Sequence, residues 1–285
     1  MLRKPIDILL YSNVYIALCA LALLWSSQLL AFSRVAINPY DGLVFSASLF
    51  IYAAHRLVGI HKLKAGKVDE RHGLIQQIEP LVIFLGSIGL VVSVFLFFGL
   101  STMQQVLLIF PGLISLAYII PFSRKGRRLR DYPFIKVFLI AFTWAWVTVI
   151  IPLWEVRPEG IWWLLFERFF FILAITLPFD IRDMELDTLQ GVSTLPTVLG
   201  VEKTKRLSFI MLGISIVLGI IYILGFSLQY SAVNGYILAG LYTFYFLNKV
   251  KKGANDYLFT GWLDGTMIVQ FLLIQLFIFL MGTWR

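Results

Sequence analysis

The chain has 285 residues, of which 59% are hydrophobic and only 14% charged; a soluble domain carries about a quarter charged residues, so a soluble globular protein is excluded. The formal net charge of +8 would by itself admit nucleic acid as a partner, a reading that the distribution of the charge removes below. With one cysteine, Cys19, an intrachain disulfide is excluded as well.

Nine apolar runs follow one another, at about 8–32, 43–60, 81–100, 103–122, 134–154, 161–178, 207–226, 232–247 and 263–281. Most reach or approach the roughly 20 residues that a spanning helix needs. The expected fold is therefore all-α, a polytopic membrane protein with nine transmembrane helices, built as a single membrane-embedded domain over residues 1–285. The basic segment 1–7 leads into the first run without a small-residue cleavage site, so that run is expected to remain as a helix. Cys19 sits inside it as a small hydrophobe, and Asn13 is its polar residue at depth, suited equally to packing or to substrate contact.

Positive charge orients these runs. With the N-terminus inside, the cytoplasmic segments are 1–7, 61–79, 123–132, 180–206 and 248–260. Together with the helix-end residues Arg56 and Lys136 they carry 20 of the 24 Lys and Arg. Arg34, Arg157, Arg168 and Arg285 remain on the other side. This positive-inside bias accounts for the basic character without nucleic acid, and it places the protein in a membrane such as the bacterial inner membrane with its N-terminus cytoplasmic. The cytoplasmic connections after the second and sixth runs are the long ones, and long ordered loops tend to carry function. Both hold the same place in a pattern of four helices, which reads as a duplicated architecture in hydropathy though not in residues.

The connection after the sixth run reads P-F-D-I-R-D-M-E-L-D-T-L-Q-G-V-S-T-L-P-T-V-L-G over 178–200. Asp180, Asp183 and Asp187 fall at i, i+3 and i+7, a spacing that puts three carboxylates on one helical face. Like charges so placed repel, and near lipid each is costly; a divalent cation turns the repulsion into binding. Mg²⁺ suits best, because it takes one or two carboxylates and completes its shell with substrate phosphates. A solvated acidic connection between two membrane helices is the competing reading.

The stretch 180–200 resembles the second aspartate-rich motif of the UbiA superfamily of intramembrane prenyltransferases. Asp180, Arg182, Asp183, Glu185 and Asp187, then Gly191, Thr194-Leu195-Pro196 and Leu199-Gly200, carry the resemblance. The segment 118–136, with Ser123, Lys125, Arg128 and Arg130, is similar to that family's basic loop after the fourth helix. The resemblance implies a UbiA-like helical bundle that holds an allylic diphosphate through Mg²⁺. Departure of the diphosphate leaves a prenyl cation for an aromatic or lipidic acceptor to capture. It assigns Asp183 and Asp187 to catalysis and the metal, with Asp180 as a further ligand or its neighbour. The family's first motif, N-D-x-x-D-x-x-x-D near the end of the second helix, is absent: 50–62 reads F-I-Y-A-A-H-R-L-V-G-I-H-K, with no carboxylate.

His55, Arg56, His61 and Lys62 stand where those acids would be. Arg56 reads equally as a bidentate phosphate contact or as a charge that needs some other partner at that depth. His55 reads as a partner for an aspartate or as a donor to a backbone carbonyl, and Lys62 as a phosphate contact or a snorkelling anchor. In the basic loop Lys125 and Arg128 are the candidates for neutralising a leaving diphosphate, against a polybasic segment that meets anionic lipid. Aromatics, including Tyr118, Trp144, Trp146, Phe169 and Phe170, suit a prenyl channel or an interfacial belt. Glu79 and Asp264 read as helix N-terminal acids favoured by the dipole. Phosphate-loop, zinc-protease and dinucleotide motifs are absent.

Three function classes follow: a Mg²⁺-dependent prenyltransferase with a prenyl diphosphate as substrate, a non-catalytic UbiA-like membrane protein that binds an isoprenoid or acts as a scaffold, and a transporter.

Overall fold

The structure is a computed structural model, and it describes residues 4–62, 70–120, 128–189, 191–227 and 229–282, with no side-chain detail at 4, 59–62, 70–72, 131 and 282. Helices account for the regular structure, and no strand occurs among the described residues. They are α1 (Lys4–Tyr11), α2 (Val14–Phe32), α3 (Pro39–Lys62), α4 (Glu70–Gln77), α5 (Glu79–Phe98) and α6 (Thr102–Ile119). After a short turn, Leu129–Asp131, come α7 (Ile135–Ala145) and α8 (Ile151–Leu153), joined by a π turn at Trp146–Ile150 into one rod. The chain then continues through α9 (Ile161–Leu189), α10 (Leu195–Leu199), α11 (Val201–Gly225) and α12 (Ala232–Lys249) to a π turn at Leu258–Leu263 that opens α13 (Asp264–Gly282).

Six helices among the described residues are long and apolar enough to cross a membrane: Val14–Phe32, Glu79–Phe98, Thr102–Ile119, Ile135–Leu153, Val201–Gly225 and Leu258–Met281. The other three apolar runs lie on α3, α9 and α12. The protein is an all-helical integral membrane protein.

Contacts gather the chain into two compact units, one of Met1–Leu21 with Ile37–Ile109 and one of Ala22–Ala36 with Phe110–Arg285. In the first unit the run 8–32 is not one helix: it breaks at Ser12-Asn13, where Asn13 takes a left-handed φ of 73°. Asn tolerates that conformation better than other non-glycine residues. Its carbonyl accepts the amide of Ala17 at 3.1 Å, so it opens α2. In the same unit α3 lies tightly along α5 through small residues. A Cβ on Gly89 would stand 2.6 Å from the Ser46 carbonyl oxygen, and the Ser93 hydroxyl meets that of Ser46 at 2.9 Å. Such close backbone approach is how apolar helices gain packing where lipid offers no hydrophobic drive.

The second unit has an apolar core at one end of its helices: Leu29 and Leu30 of α2, Val149 and Leu153 of the α7–α8 rod, Leu164 at the start of α9, and Tyr222, Tyr236 and Ile274 of α11, α12 and α13. At the other end of α12 the Lys205 ammonium donates to the carbonyls of Asn248 (2.6 Å) and Val250 (3.1 Å), a cation at a helix C-terminus.

The middle of the second unit is not apolar throughout. Glu167 and Arg168, inside α9, are wholly buried. Glu167 accepts from the hydroxyls of Tyr236 and Ser215. Arg168 approaches Glu167 through Nε at 3.4 Å and donates to the Leu23 carbonyl at 3.0 Å and the Ser27 hydroxyl at 3.4 Å. Arg168 is therefore not on the external face, as the charge count had it, but within the helices. The pair was legible as two opposite charges inside an apolar run, which at that depth demand partners.

Candidate functional site

The acidic residues lie on a helix and not on a connection. α9 continues for eleven residues past Pro178. Proline removes one backbone donor; two residues earlier Thr176 turns its hydroxyl back onto the Ile172 carbonyl at 2.8 Å. A 29-residue helix is about 43 Å long, so Asp180 and Asp187 stand about 28 and about 39 Å along the axis from its apolar beginning. Gly191 follows with φ 68°, and Gly200 with φ 81° joins α10 to α11; both conformations favour glycine. Between them the Thr197 hydroxyl accepts from the Thr194 amide at 2.9 Å, and Pro196 occupies a first-turn position that has no use for a donor.

Facing this end of α9 is the start of α7. Phe134, with a left-handed φ of 61°, precedes it and donates its amide to the Ser193 carbonyl at 3.3 Å. In the first turn of α7 the Lys136 ammonium reaches Asp180 Oδ1 at 2.7 Å and stands 4.0 Å from Asp187 Oδ2. All three residues are buried. A cation in the first turn of a helix lies at the wrong end of the dipole; two carboxylates across the gap reverse that penalty. Asp187 Oδ2 is buried and has no hydrogen-bond partner. Burial, opposed by Lys136 and reinforced by Asp183 and Asp180, leaves the Asp187 carboxyl pushed up to about 6.

Asp183 takes a different partner. Arg182 approaches it through Nε (2.9 Å to Oδ1) and Nη2 (3.2 Å to Oδ2), and its Nη1 donates to Asp256 Oδ1 at 2.9 Å. Burial opposes the guanidinium charge, but Asp183 and Asp256 more than restore it, and its pKa lies above the ordinary value. Arg130 stacks over Tyr118, its Cζ 5.1 Å from the ring centre, close enough to help hold Asp187 down.

Of the residues singled out in sequence, Asp180 and Asp187 share Lys136, Asp183 on the same helix is held by Arg182, and Arg128, buried, precedes the short turn that leads to Lys136. Lys125 lies outside the described residues. Arg56 and His55 belong to the first unit. There Arg56 donates to the carbonyls of Tyr11 (2.7 Å) and Leu10 (3.4 Å) and covers the Tyr11 ring, satisfying the end of α1 that the break at Asn13 leaves open. Lys136 and Asp256 were missed. Lys136 was legible by the logic applied to Arg56, a cation at the end of an apolar run; Asp256 was not, since nothing local marks it.

Among the described residues no three His, Cys, Asp or Glu side chains form a group that could hold a metal ion unaided. The Lys136 ammonium stands between the Asp180 and Asp187 carboxylates, and one buried Asp187 oxygen keeps no hydrogen bond.

A helical membrane bundle with an acid-bearing helix facing a buried lysine defines a class of intramembrane protein. The comparisons name its family. The sequence model of the UbiA prenyltransferase family matches residues 77–281, and the chain belongs to that family. The fold agrees with a UbiA homolog from Archaeoglobus fulgidus solved with DMAPP and Mg²⁺, at a TM-score of 0.63 and 13% identity over 94% of this chain and 98% of that one. The same homolog with GPP and Mg²⁺ gives 0.63 and 12% over 94% and 99%. A digeranylgeranylglyceryl phosphate synthase gives 0.54 and 16% over 95% and 98%. No curated protein matches the chain.

Proposed function

We propose that residues 1–285 act as one membrane-embedded enzyme of nine crossings, its N-terminus cytoplasmic. It transfers a prenyl group from an allylic diphosphate to an aromatic or lipidic acceptor at the cytoplasmic face, with Mg²⁺ as cofactor. The observation that carries this reading is Asp187, whose buried Oδ2 lacks a hydrogen bond beside Asp180 and Lys136. The related structures solved with DMAPP or GPP and Mg²⁺ support it.

Asp180, Asp183 and Asp187 would hold Mg²⁺ against the diphosphate. When bound, the ion neutralises the charge that grows on the departing diphosphate. Lys136 supplies a second positive charge at the same end, and Arg130 and Arg128 a third and fourth; fixed cations act most strongly where charge develops. The allylic C1–O bond breaks with its electron pair going to the diphosphate, and the acceptor then bonds to C1 and loses a proton. Aromatic rings of the bundle stabilise the cationic carbon.

The test is Mg²⁺-dependent binding of dimethylallyl, geranyl and geranylgeranyl diphosphates to purified protein, measured by calorimetry. Asp183→Ala and Asp187→Ala should each abolish it. Wild-type binding no better than that of the double variant, at every chain length, overturns the reading. A second reading, a non-catalytic protein that binds an isoprenoid or acts as a scaffold, draws support from one feature. The segment 50–62 has no carboxylate, and Arg56, its central cation, is engaged with α1.

A further inference from the structure

We infer that Asp256 is a positioning residue for Asp183, acting through the guanidinium of Arg182, so that the connection before α13 sets the metal-binding end of α9. The inference rests on the reading of Asp183 as a metal ligand. Successive side chains on a helix diverge by about 100° and do not face each other. Arg182 nonetheless holds both oxygens of its neighbour Asp183, at 2.9 and 3.2 Å.

The fork stays there because its other edge is fastened. Nη1 donates to Asp256 Oδ1 at 2.9 Å, and the guanidinium lies over the rings of Phe179 and Phe259, 4.7 and 5.7 Å from their centres. Asp256 is itself fixed by Thr260, whose hydroxyl donates to its carbonyl at 3.0 Å and to Oδ2 at 3.3 Å. Arg182, Asp183 and Asp256 are each less than a fifth exposed (side chains 17%, 18% and 18%), so water screens the triad weakly.

A carboxylate offers about four lone-pair sites. The fork takes one on each Asp183 oxygen and leaves the others in a fixed direction. Neutralising Asp256 frees the guanidinium edge, and Asp183 then has more than one orientation to choose from. A planar, bidentate hold is specific to arginine, so lysine at 182 cannot replace it.

The test uses full-length protein and inorganic pyrophosphate, which carries the diphosphate head without a chain-length requirement. Mn²⁺ serves as the probe, its binding read by electron paramagnetic resonance. Asp256→Asn should weaken Mn²⁺ about tenfold, while pyrophosphate affinity at saturating Mn²⁺ stays within twofold of wild type. Arg182→Lys should match Asp256→Asn, and Asp256→Glu should recover most of the loss. Asp256→Asn added to Asp183→Asn should cause no further loss. If wild type binds Mn²⁺ and Asp256→Asn binds it equally well, with only a lower thermal midpoint, the positioning role is overturned. The same holds if the two substitutions add. If wild type retains no Mn²⁺ in the presence of pyrophosphate, the metal reading of Asp183 falls first and takes this inference with it.

Discussion

Lys136 and Asp180 form a buried ion pair at 2.7 Å, and removal of one member of such a pair leaves the other charge without compensation, at about 3–5 kcal/mol. Lys136→Met should lower the thermal midpoint sharply, and Lys136→Met with Asp180→Asn should recover much of the loss, as a double-mutant cycle in detergent will show. Asp187 gives a pH dependence of definite sign. Its carboxyl is raised from 3.8 to about 6, so the folded state holds this proton more tightly than the unfolded chain. The stability it contributes is complete below pH 3.8 and is lost as pH rises through about 6. Asp187→Asn should therefore gain on wild type between pH 4 and pH 7 in thermal melts without divalent cations, and no more beyond. At this scale the sequence showed the acids, because three carboxylates at helical spacing are visible in one line of text. It did not show that Lys136 reaches Asp180 from 44 residues away, or that Asp256 reaches Arg182 from 74, since a single chain carries no record of which distant charges meet.

At the scale of elements, hydropathy located the long helices among the described residues but not their ends. The apolar run 161–178 ends at Pro178, whereas α9 runs on to Leu189 because the acidic segment after it still forms helix. The interruption at Ser12-Asn13 was hidden for the opposite reason: apolar residues flank it on both sides, and only backbone conformation reveals it. The pairing of α3 with α5 depends on Gly89. Gly89→Leu places side-chain atoms against the Ser46 carbonyl, 2.6 Å from even a first carbon. It should destabilise by about 1–3 kcal/mol, as overpacking does, measured as a lower unfolding midpoint in a mild denaturing detergent.

For the whole molecule, ligand and fold are linked by mass action. A prenyl diphosphate with Mg²⁺ at about 100 times its dissociation constant should stabilise the folded state by about 2.7 kcal/mol. The gain, read as an upward shift in thermal midpoint, should vanish on chelation with EDTA and be absent in Asp183→Ala. The Glu167–Arg168 pair bears on how the chain is made. A charge at mid-bilayer costs roughly 2.5–3.5 kcal/mol on insertion, and α9 brings two of them side by side. Ribosomal synthesis delivers the Leu23 carbonyl and Ser27 on α2 long before α9 emerges, and Ser215 and Tyr236 only after it. Nascent α9 therefore finds partners for its arginine already made on α2, while the two hydroxyls that donate to Glu167 are synthesised later, and chains truncated before Tyr236 should be degraded faster than the full chain.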